Sequence, residues 1–384
     1  MNVLMIGLDP TLAIDNGAEN SKNRHITYGK YLSKLIIITK VPKKVNTKKL
    51  SENVIVHPVS SKNILFFIFK SFKISEKICK LEKIDIIMTQ DPIFTGIVGY
   101  TISKRYKIPL IVQLHGDFLD NKHWLNRSFI NRVLNTIGKY ILKKSNGVRV
   151  VSRRLEKYAK KVCTNIVFNI PIYNDLERFE KCNTTLDKHN LTKYRNKKII
   201  LFVGRLAPEK NVPALIKALA IVVKKYPNTV LMIVGDGPER KKLEKLVAKL
   251  ELENNVVFIG AVKPDKVVNY YGLCDTLVLP SNFEGWGRVV VEACACGKPV
   301  IMTDVGCAGE VIINGKSGLV VPVGNVEALA EKLIYLINNV SIAKKMGKTG
   351  KKIVIKHNIE ETAKKIAKMC KVVANESSHG HSKN

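Results

Sequence analysis

Two carboxylates, Glu284 and Glu292, lie eight positions apart in the stretch SNFEGWGRVVVEACACGKP, residues 281–299. The short apolar run before it, residues 276–280, is bounded by turn signals, which is typical of a buried parallel strand. Helix-forming residues follow the loop and are ended by Gly297. The pattern therefore predicts a strand, then a glycine-bearing loop that holds the first glutamate at a crevice edge, then a helix with the second glutamate on its second turn.

The start of this predicted helix suits an anion. The backbone N–H groups of Gly287, Arg288 and Val289 lack helical partners there and lie at the positive end of the helix dipole. Such a helix start can bind an anion, and the diphosphate of a nucleotide is a suitable one. Glu292 lies roughly 6 to 8 Å along the helix at about 1.5 Å per residue, so it could reach a ribose while Glu284 reaches a sugar. The plainer alternative is two solvated glutamates near a helix N-terminus, where carboxylates are favoured.

A second loop carries positive charge. Gly204 follows the predicted strand at residues 199–203, Arg205 comes directly after it, and Lys210 lies five residues further on. An enzyme that uses no metal must neutralise a leaving diphosphate by other means, and an arginine fork with a lysine supplies that charge. By itself this loop does not establish a function.

Together these motifs resemble those of the retaining glycosyltransferases of family 4, which have the GT-B fold of two facing Rossmann-like domains. Glu284 and Glu292 match the two glutamates of the family's E-x7-E signature, and Arg205 and Lys210 match its G-R-x-x-x-x-K pair. The resemblance is strong over residues 203–322 and looser over nearly the whole chain. It implies a metal-independent hexosyltransferase that needs no cofactor and takes a UDP- or GDP-sugar as donor.

The same resemblance assigns residues outside the signature. His115 begins the sequence His-Gly-Asp after a predicted strand and resembles the family's H-G element, whose histidine contacts the donor sugar. Gly17 resembles the glycine-bearing first loop, although many members have two adjacent glycines there. Backbone groups at Val262 are expected to line the base pocket, and no metal site is expected. The expected catalytic residues are His115, Glu284, Arg205 and Lys210, and the expected donor-binding residues are Gly17, Gly204, Arg205, Lys210, Val262, Glu284, Gly285, Trp286, Gly287, Arg288, Val289 and Glu292.

The charge of the chain restricts its partners. Its 64 lysines and arginines against 32 aspartates and glutamates give a formal net charge of +32, and the excess is spread over both halves of the sequence. That distribution argues against a single basic stripe for nucleic acid, so no nucleic-acid partner is expected. It fits a nucleotide sugar and an anionic membrane surface at least as well. A generally lysine-rich proteome is the plain alternative.

Length, cysteines and hydropathy indicate a cytoplasmic protein. The 384 residues suffice for two domains with full cores. The eight cysteines show no C-x-x-C spacing, which favours buried, reduced thiols. No signal peptide is expected, and the longest apolar runs are far shorter than the ~18 residues of a membrane span, so any membrane contact is peripheral.

Alternating strands and helices predict an α/β protein with two Rossmann-like domains and parallel sheets. The N-terminal, acceptor-binding domain is placed at residues 1–175, the interdomain linker at 176–197, and the C-terminal, nucleotide-sugar-binding domain at 198–356. The resemblance implies that a C-terminal helix at about 357–375 packs back on the first domain. A disordered tail is expected at 375–384.

One predicted helix of the N-terminal domain, KNILFFIFKSFKISEKICK at residues 62–80, combines phenylalanines with lysines. A basic, aromatic amphipathic helix can lie on an anionic bilayer. A helix with an apolar face toward the core and a solvated lysine face has the same appearance. The sequence leaves both interpretations open, together with a location at the inner face of the membrane.

The function expected from all of these features is transfer of a sugar from a nucleotide diphosphate to the hydroxyl of a lipid-linked or glycan acceptor, in glycolipid, polysaccharide or cell-surface glycan synthesis. Same-face attack is favoured for retention, because no second carboxylate in a fitting position is evident. The alternatives are another GT-B enzyme, either a phosphorylase or a nucleotide-sugar epimerase, and a basic non-enzymatic binder of nucleic acid or membrane.

Overall fold

The computed structural model describes residues 1–14, 19–172, 176–180, 182, 194, 196–356 and 358–380. The chain divides into two compact units: the first combines Met1–Asp175 with Asn358–Asn384, and the second is Leu176–His357. Each unit is a largely parallel sheet with helices against it, so the predicted α/β class is confirmed. Most of the predicted linker at 176–197 lies outside the described residues.

The sheet of the first unit consists of β1 Asn2–Gly7, β2 Lys34–Val41, β3 Lys48–Ser51, β4 Val54–Ser60, β5 Ile86–Thr89, β6 Leu110–Leu114, β7 Gly147–Val150 and β8 Ile166–Asn169. Their order across the sheet is β3-β4-β2-β1-β5-β6-β7-β8. Every neighbouring pair is parallel except β3 with β4. The order of strands reverses between β1 and β5, which makes that point the topological switch point of this sheet.

The edge strand β3 was not predicted. Its sequence, KKLS, is polar and shows no apolar alternation. It pairs antiparallel to β4 at the margin of the sheet, where charged side chains remain in solvent and discourage further pairing. The central strands β1, β5 and β6 are the reverse case, since they are mostly apolar and buried on both faces.

The helices of the first unit are α1 Glu19–Gly29, α2 Ile64–Leu81, α3 Phe94–Tyr106, α4 Lys122–Leu125, α5 Phe129–Lys144, α6 Arg153–Val162 and α14 Ile359–Gly380. Helix α3 contacts both α2 and α5, and its Gly99 packs against Ile87 and Leu110 of the sheet. These three helices therefore form one layer. The opposite face, which carries Met5 and Ile37, is covered by α1 and α14.

The C-terminal helix α14 lies in the core of the first unit. Its apolar stripe includes Ile366, Met369, Cys370 and Val373, all buried together with residues of the sheet. The expectation of disorder from residue 375 is wrong for 375–380, because the helix continues to Gly380. Ser377 Oγ holds this end, since it donates to Val373 O at 2.9 Å and accepts from Asn146 Nδ2 at 3.2 Å.

The sheet of the second unit consists of β9 Lys198–Val203, β10 Thr229–Val234, β11 Val256–Gly260, β12 Thr276–Leu279, β13 Val300–Thr303 and β14 Leu319–Val321. Its order is β11-β10-β9-β12-β13-β14, with every pair parallel. The order reverses between β9 and β12. The carboxyl ends of these two neighbours therefore flank the switch point of the second sheet.

The helices of the second unit are α7 Glu177–Glu180, α8 Val212–Lys225, α9 Arg240–Lys249, α10 Val267–Leu273, α11 Arg288–Ala295, α12 Val326–Asn338 and α13 Val340–Ile355. Helix α13 was not predicted, because the glycines in its segment GKTGKK are poor helix formers. The glycines are needed for packing. A Cβ on Gly347 would lie 2.0 Å from Gly297 O, and one on Gly350 would lie 2.9 Å from Cys294 Sγ.

In the described part of the chain, no helix is both long and apolar enough to cross a bilayer.

Replacing Met369 by alanine tests the docking of α14. The side chain is buried in the core of the first unit, so its loss should reduce the free energy of unfolding by about 2 to 5 kcal/mol. Lys368→Ala changes the preceding, exposed residue of the same helix and should alter stability by less than about 0.5 kcal/mol. Urea unfolding of both variants gives the comparison. Equal effects would show that α14 does not contribute to this core.

Candidate active site

The loops after β9 and β12 lie side by side at the switch point of the second sheet. The backbone N–H of Asn282 donates to Glu209 O at 2.8 Å. Asn211 Nδ2 donates to Asn282 Oδ1 at 3.1 Å. In doubly wound sheets, ligands bind outside the carboxyl ends of the strands at this point. The structure therefore places the two predicted motifs, residues 204–211 and 281–287, at one location.

An ion pair joins the two loops. Lys210 Nζ lies 2.5 Å from Glu284 Oε1, and the same oxygen accepts a hydrogen bond from Ser281 Oγ at 2.8 Å. Both charged side chains are mostly enclosed. The sequence predicted each residue separately as a site residue, and the structure brings them into contact. An ammonium group and a carboxylate thus face the same small volume, where they can bind phosphate oxygens and sugar hydroxyls respectively.

Arg205 lies at the outer margin of the same loop. Its Nη2 atom is 2.8 Å from Glu209 Oε1, and its side chain is 69 % exposed. An ion pair this exposed stabilises a structure by about 0 to 1 kcal/mol. A diphosphate can therefore compete with Glu209 for the guanidinium at little cost.

The turn into α11 requires glycine. Gly287 precedes the helix with φ +93°, a left-handed conformation that an L side chain rarely adopts. The loop after β13 supports this turn, because Cys307 N donates to Trp286 O at 2.8 Å and a Cβ on Gly306 would lie 2.5 Å from the same oxygen. Trp286 is buried, so its indole packs in the interior while the backbone on either side remains at the sheet edge. By helix geometry, the first N–H groups of α11 point out of this end.

Glu292 is positioned by a residue that the sequence did not reveal. Its Oε2 atom accepts a hydrogen bond from Tyr271 Oη on α10 at 2.9 Å, and its Oε1 atom lies 3.9 Å from Arg288 Nη2. Burial and the neighbouring Glu292 carboxylate raise the pKa of Tyr271 well above its usual range, so the phenol remains a donor. The carboxylate is therefore held in one orientation. No sequence motif marks Tyr271, so its role in positioning Glu292 is seen only from its burial and its hydrogen bond in the structure.

The remaining predicted residues of the second unit lie at the same sheet edge. Gly204 follows β9, Val262 follows β11, and Gly285 lies in the loop after β12. The backbones approach closely there, since a Cβ on Gly235 would lie 1.9 Å from Gly204 O. Val262 follows β11, and β10 lies between β11 and β9. Val262 therefore lies farther from the switch point than Gly204 does. Among the described residues there is no cluster of three histidine, cysteine, aspartate or glutamate side chains suited to a metal ion.

His115 follows β6 at the carboxyl edge of the first sheet. Its Nε2 atom lies 3.1 Å from Gln113 Oε1, which also accepts from Arg149 Nη1 at 2.5 Å. Because a guanidinium can only donate, the atom between them must be the amide oxygen, and His115 must donate from Nε2. Burial, with the charges of Arg149 and Arg24, lowers the pKa of His115 well below its usual range. The imidazole is therefore neutral at pH 7, and its Nδ1 atom is the hydrogen-bond acceptor.

A second histidine belongs to this polar cluster and was not predicted. His25 on α1 donates from Nδ1 to Ser21 O at 2.8 Å. Burial, together with the charge of Arg24, lowers the pKa of His25 to about 4. Arg149 is also buried, and it donates to Ile170 O at 3.2 Å besides its bond to Gln113. The predicted Gly17 lies outside the described residues.

Two family models match the chain: that of the glycosyl transferases group 1 at residues 183–353, and that of Glycosyltransferase Family 4 at residues 37–165. A solved structure of sucrose-phosphate synthase from Thermosynechococcus elongatus has a TM-score of 0.84 and 22 % identity, over 97 % of this chain and 98 % of that chain. At this identity the likeness shows the fold alone. The chain has the GT-B fold of glycosyltransferases, as predicted.

Two curated relatives extend this comparison. An uncharacterized glycosyltransferase of Methanocaldococcus jannaschii is 31 % identical over 322 residues, which are 83 % of this chain and 85 % of that protein. An alpha-monoglucosyldiacylglycerol synthase of Streptococcus pneumoniae is 29 % identical over 248 residues, 61 % of this chain and 55 % of that protein. The chain belongs to the group 1 family of glycosyl transferases. It is therefore a glycosyltransferase, which excludes the alternative of a non-enzymatic binder.

The protonation state of His115 is testable by nitrogen-15 NMR of the labelled protein, with His115→Gln used to assign its signals. We expect a neutral ring protonated at Nε2 throughout the range from pH 8 to 6, because burial and the nearby arginines disfavour the cation. Gln113→Glu places a carboxylate beside the ring and should raise its pKa. A parent ring that titrates near pH 6.5, or one protonated at Nδ1, would contradict the assignment.

Proposed function

We propose that this enzyme transfers a sugar from a UDP- or GDP-sugar to an acceptor hydroxyl, with retention at the anomeric carbon and without a bound metal or other cofactor. The observation that carries the proposal is the contact between Lys210 and Glu284 across the switch point, beside the start of α11. Positive charge for phosphate, a carboxylate for sugar hydroxyls and a helix start that binds anions are thereby assembled at one sheet edge.

The diphosphate is assigned to the basic side of this site. Cleavage of the anomeric C–O bond builds negative charge on the β-phosphate, which departs with the nucleotide. Arg205, Lys210 and the N–H groups at the start of α11 stabilise that charge, which is larger in the transition state than in the bound donor. The weak ion pair of Arg205 with Glu209 leaves its guanidinium able to turn to the phosphate. Lys210 is supported by Glu284 and adds a second positive charge.

The two glutamates are assigned to different parts of the donor. Glu284 binds the sugar hydroxyls, since it lies in the loop with Lys210 and is already oriented by Ser281. Glu292 lies one turn inside α11 and accepts from ribose hydroxyls. The hydrogen bond from Tyr271 fixes the direction in which the Glu292 carboxylate points.

Retention is proposed to follow from same-face attack, in which the departing phosphate accepts the proton of the acceptor hydroxyl. His115 then need not act as a base, and a neutral imidazole fits a purely orienting role. Its Nδ1 atom accepts a hydrogen bond from a sugar hydroxyl, and Gln113 holds the ring from the other side. A covalent intermediate would instead require a carboxylate positioned for attack, and no described residue is assigned that role.

The acceptor is proposed to be lipid-linked or a glycan of the cell surface, bound by the first unit at the inner face of the membrane. The name of the streptococcal relative, a synthase of a glucosyl diacylglycerol, supports a lipid acceptor. The net charge of +32 supports a site near anionic lipid. A phosphorylase would instead form a sugar phosphate from a glycan and inorganic phosphate, and a nucleotide-sugar epimerase would form no glycosylated acceptor, so identification of the products distinguishes both from the proposed transferase.

Transfer should continue in excess chelator, and Arg205→Ala should lower turnover roughly a hundred- to thousand-fold, as removal of one transition-state donor typically does. Lys217→Ala, which changes an exposed lysine on α8, serves as the matched control and should keep the parental rate. Rates are measured by release of nucleotide and by mass spectrometry of the product. Activity that is abolished by chelator and restored by magnesium would disprove the metal-free mechanism.

The two glutamates should differ in calorimetry. Glu292→Gln is expected to weaken binding of the free nucleotide as well as the sugar nucleotide, because the ribose occurs in both. Glu284→Gln keeps an oxygen that can accept from Lys210 and Ser281, so it should leave the affinity for free nucleotide nearly unchanged and weaken only the sugar nucleotide. A thermal-shift screen of UDP- and GDP-sugars supplies the ligand for these titrations. Equal losses on both ligands for both variants would show that the assignment is wrong.

A further inference from the structure

Two clusters of large apolar side chains lie on the surface of the first unit. One is formed by Leu65, Phe66 and Phe69 in the first half of α2, and the other by Phe129, Ile130 and Val133 in the first half of α5. Their exposed fractions range from 47 % for Val133 to 76 % for Phe129. Exposed aromatic and aliphatic side chains at this density indicate a surface that binds a partner.

These side chains are not needed to fill the core. Helix α2 already packs inward through Phe67, Ser71, Ser75 and Ile78, which are all buried. The phenylalanines on either side of Phe67 in the first turns point outward instead. The sequence left two interpretations of this helix open, and the structure combines them: the helix has one face toward the core and a second, apolar face that is exposed.

The two clusters lie at the same end of one helical layer. Helix α3 contacts both α2 and α5, so the three helices lie next to one another against the sheet. Helix α2 connects β4 to β5, and helix α5 connects β6 to β7. All four of these strands run in the same direction. Both helices therefore begin near the carboxyl edge of the sheet, which is the edge that carries His115.

Positive charge surrounds the clusters. Exposed lysines at positions 62, 70 and 73 flank the first cluster, and Lys73 Nζ lies 4.5 Å above the ring of Phe69. Arg132 is exposed beside the second cluster. Glu76 is the only acidic residue in the sequences of α2, α3 and α5, and it pairs with Arg105 at 2.9 Å. Apolar side chains within a basic surface match the interfacial region of an anionic bilayer.

We propose that the first halves of α2 and α5 form one membrane-binding surface, which inserts its apolar side chains among anionic lipids and holds the His115 edge of the sheet beside the bilayer. A second copy of the chain fits less well, because it would bring two basic surfaces together. The membrane binding rests on the surface itself, and only its use in presenting a lipid-linked acceptor rests on the proposed function.

Co-sedimentation of the full chain with vesicles tests the proposal. The parent should bind vesicles of phosphatidylcholine that contain about 30 % phosphatidylglycerol more strongly than vesicles of pure phosphatidylcholine, and high salt should weaken the binding. The double variants Phe66→Ser with Phe69→Ser on α2, and Phe129→Ser with Ile130→Ser on α5, should each lower the partition coefficient about tenfold or more. Both should keep the parental melting temperature, since all four side chains are exposed.

Leu81→Ser is the matched control, because Leu81 is as exposed as Leu65 but lies at the opposite end of α2. It should bind vesicles like the parent. Failure of the parent to bind anionic vesicles, or undiminished binding by both double variants, would overturn the proposal. Loss of binding in the α2 variant alone would overturn the role of α5. A parental dimer that both double variants convert to monomer would identify a second copy as the partner.

Nucleotide release from the donor separates this proposal from the proposed function. The double variants should release nucleotide in solution at the parental rate, because neither changes a residue of the donor site. A parent that binds anionic vesicles but releases nucleotide from no UDP- or GDP-sugar would contradict the proposed function and support the surface. A parent that turns over the donor but never binds vesicles would support the proposed function and contradict the membrane-binding surface.

Discussion

The ion pair between Lys210 and Glu284 is the interaction on which the geometry of the candidate site depends. The sheet reverses its order between β9 and β12, so the loops after these strands form the walls of a crevice. Lys210 and Glu284 connect those walls, and Asn211 and Asn282 add a second connection. Both charges are mostly enclosed, where removal of one partner leaves the other uncompensated. The position of each loop is therefore tied to the charge of the other.

The charged side chains at the two sheet edges are held in different ways. In the second unit, the cations of the candidate site are paired with carboxylates, Lys210 with Glu284 in a mostly enclosed pair and Arg205 with Glu209 at the surface. In the first unit, the buried Arg149 is held by neutral oxygens of Gln113 and Ile170. Burial, with the added effect of the Arg149 charge, lowers the pKa of His115 and keeps the ring neutral. A histidine with a fixed proton suits the orientation of a hydroxyl, whereas acid–base catalysis requires one that titrates near the working pH.

Residue type alone does not decide the structure at two places in this fold. The glycines of α13 weaken a helix by propensity but allow its backbone to approach Gly297, and that contact outweighs the propensity. The composition of α2 fits a core helix and a membrane-binding helix alike, and only Phe67 among the phenylalanines at positions 66, 67 and 69 is buried. In both cases the deciding quantity is the distance to a neighbouring element, which no local pattern contains.

The sequence by itself determined the α/β class through the alternation of strands and helices, and it indicated the family through the resemblance of its motifs, among them the spacing of Glu284 from Glu292. Both are local features that can be read along the chain. The same holds for Arg205 and Lys210, which a single loop carries. The tertiary structure decided which of these residues touch, since Lys210 meets Glu284 only when β9 and β12 become neighbours. It also added Tyr271, Gln113 and Arg149, whose roles come from burial and hydrogen bonds to residues distant in the chain. Long-range contacts of this kind depend on strand order, and strand order is a property of the folded sheet.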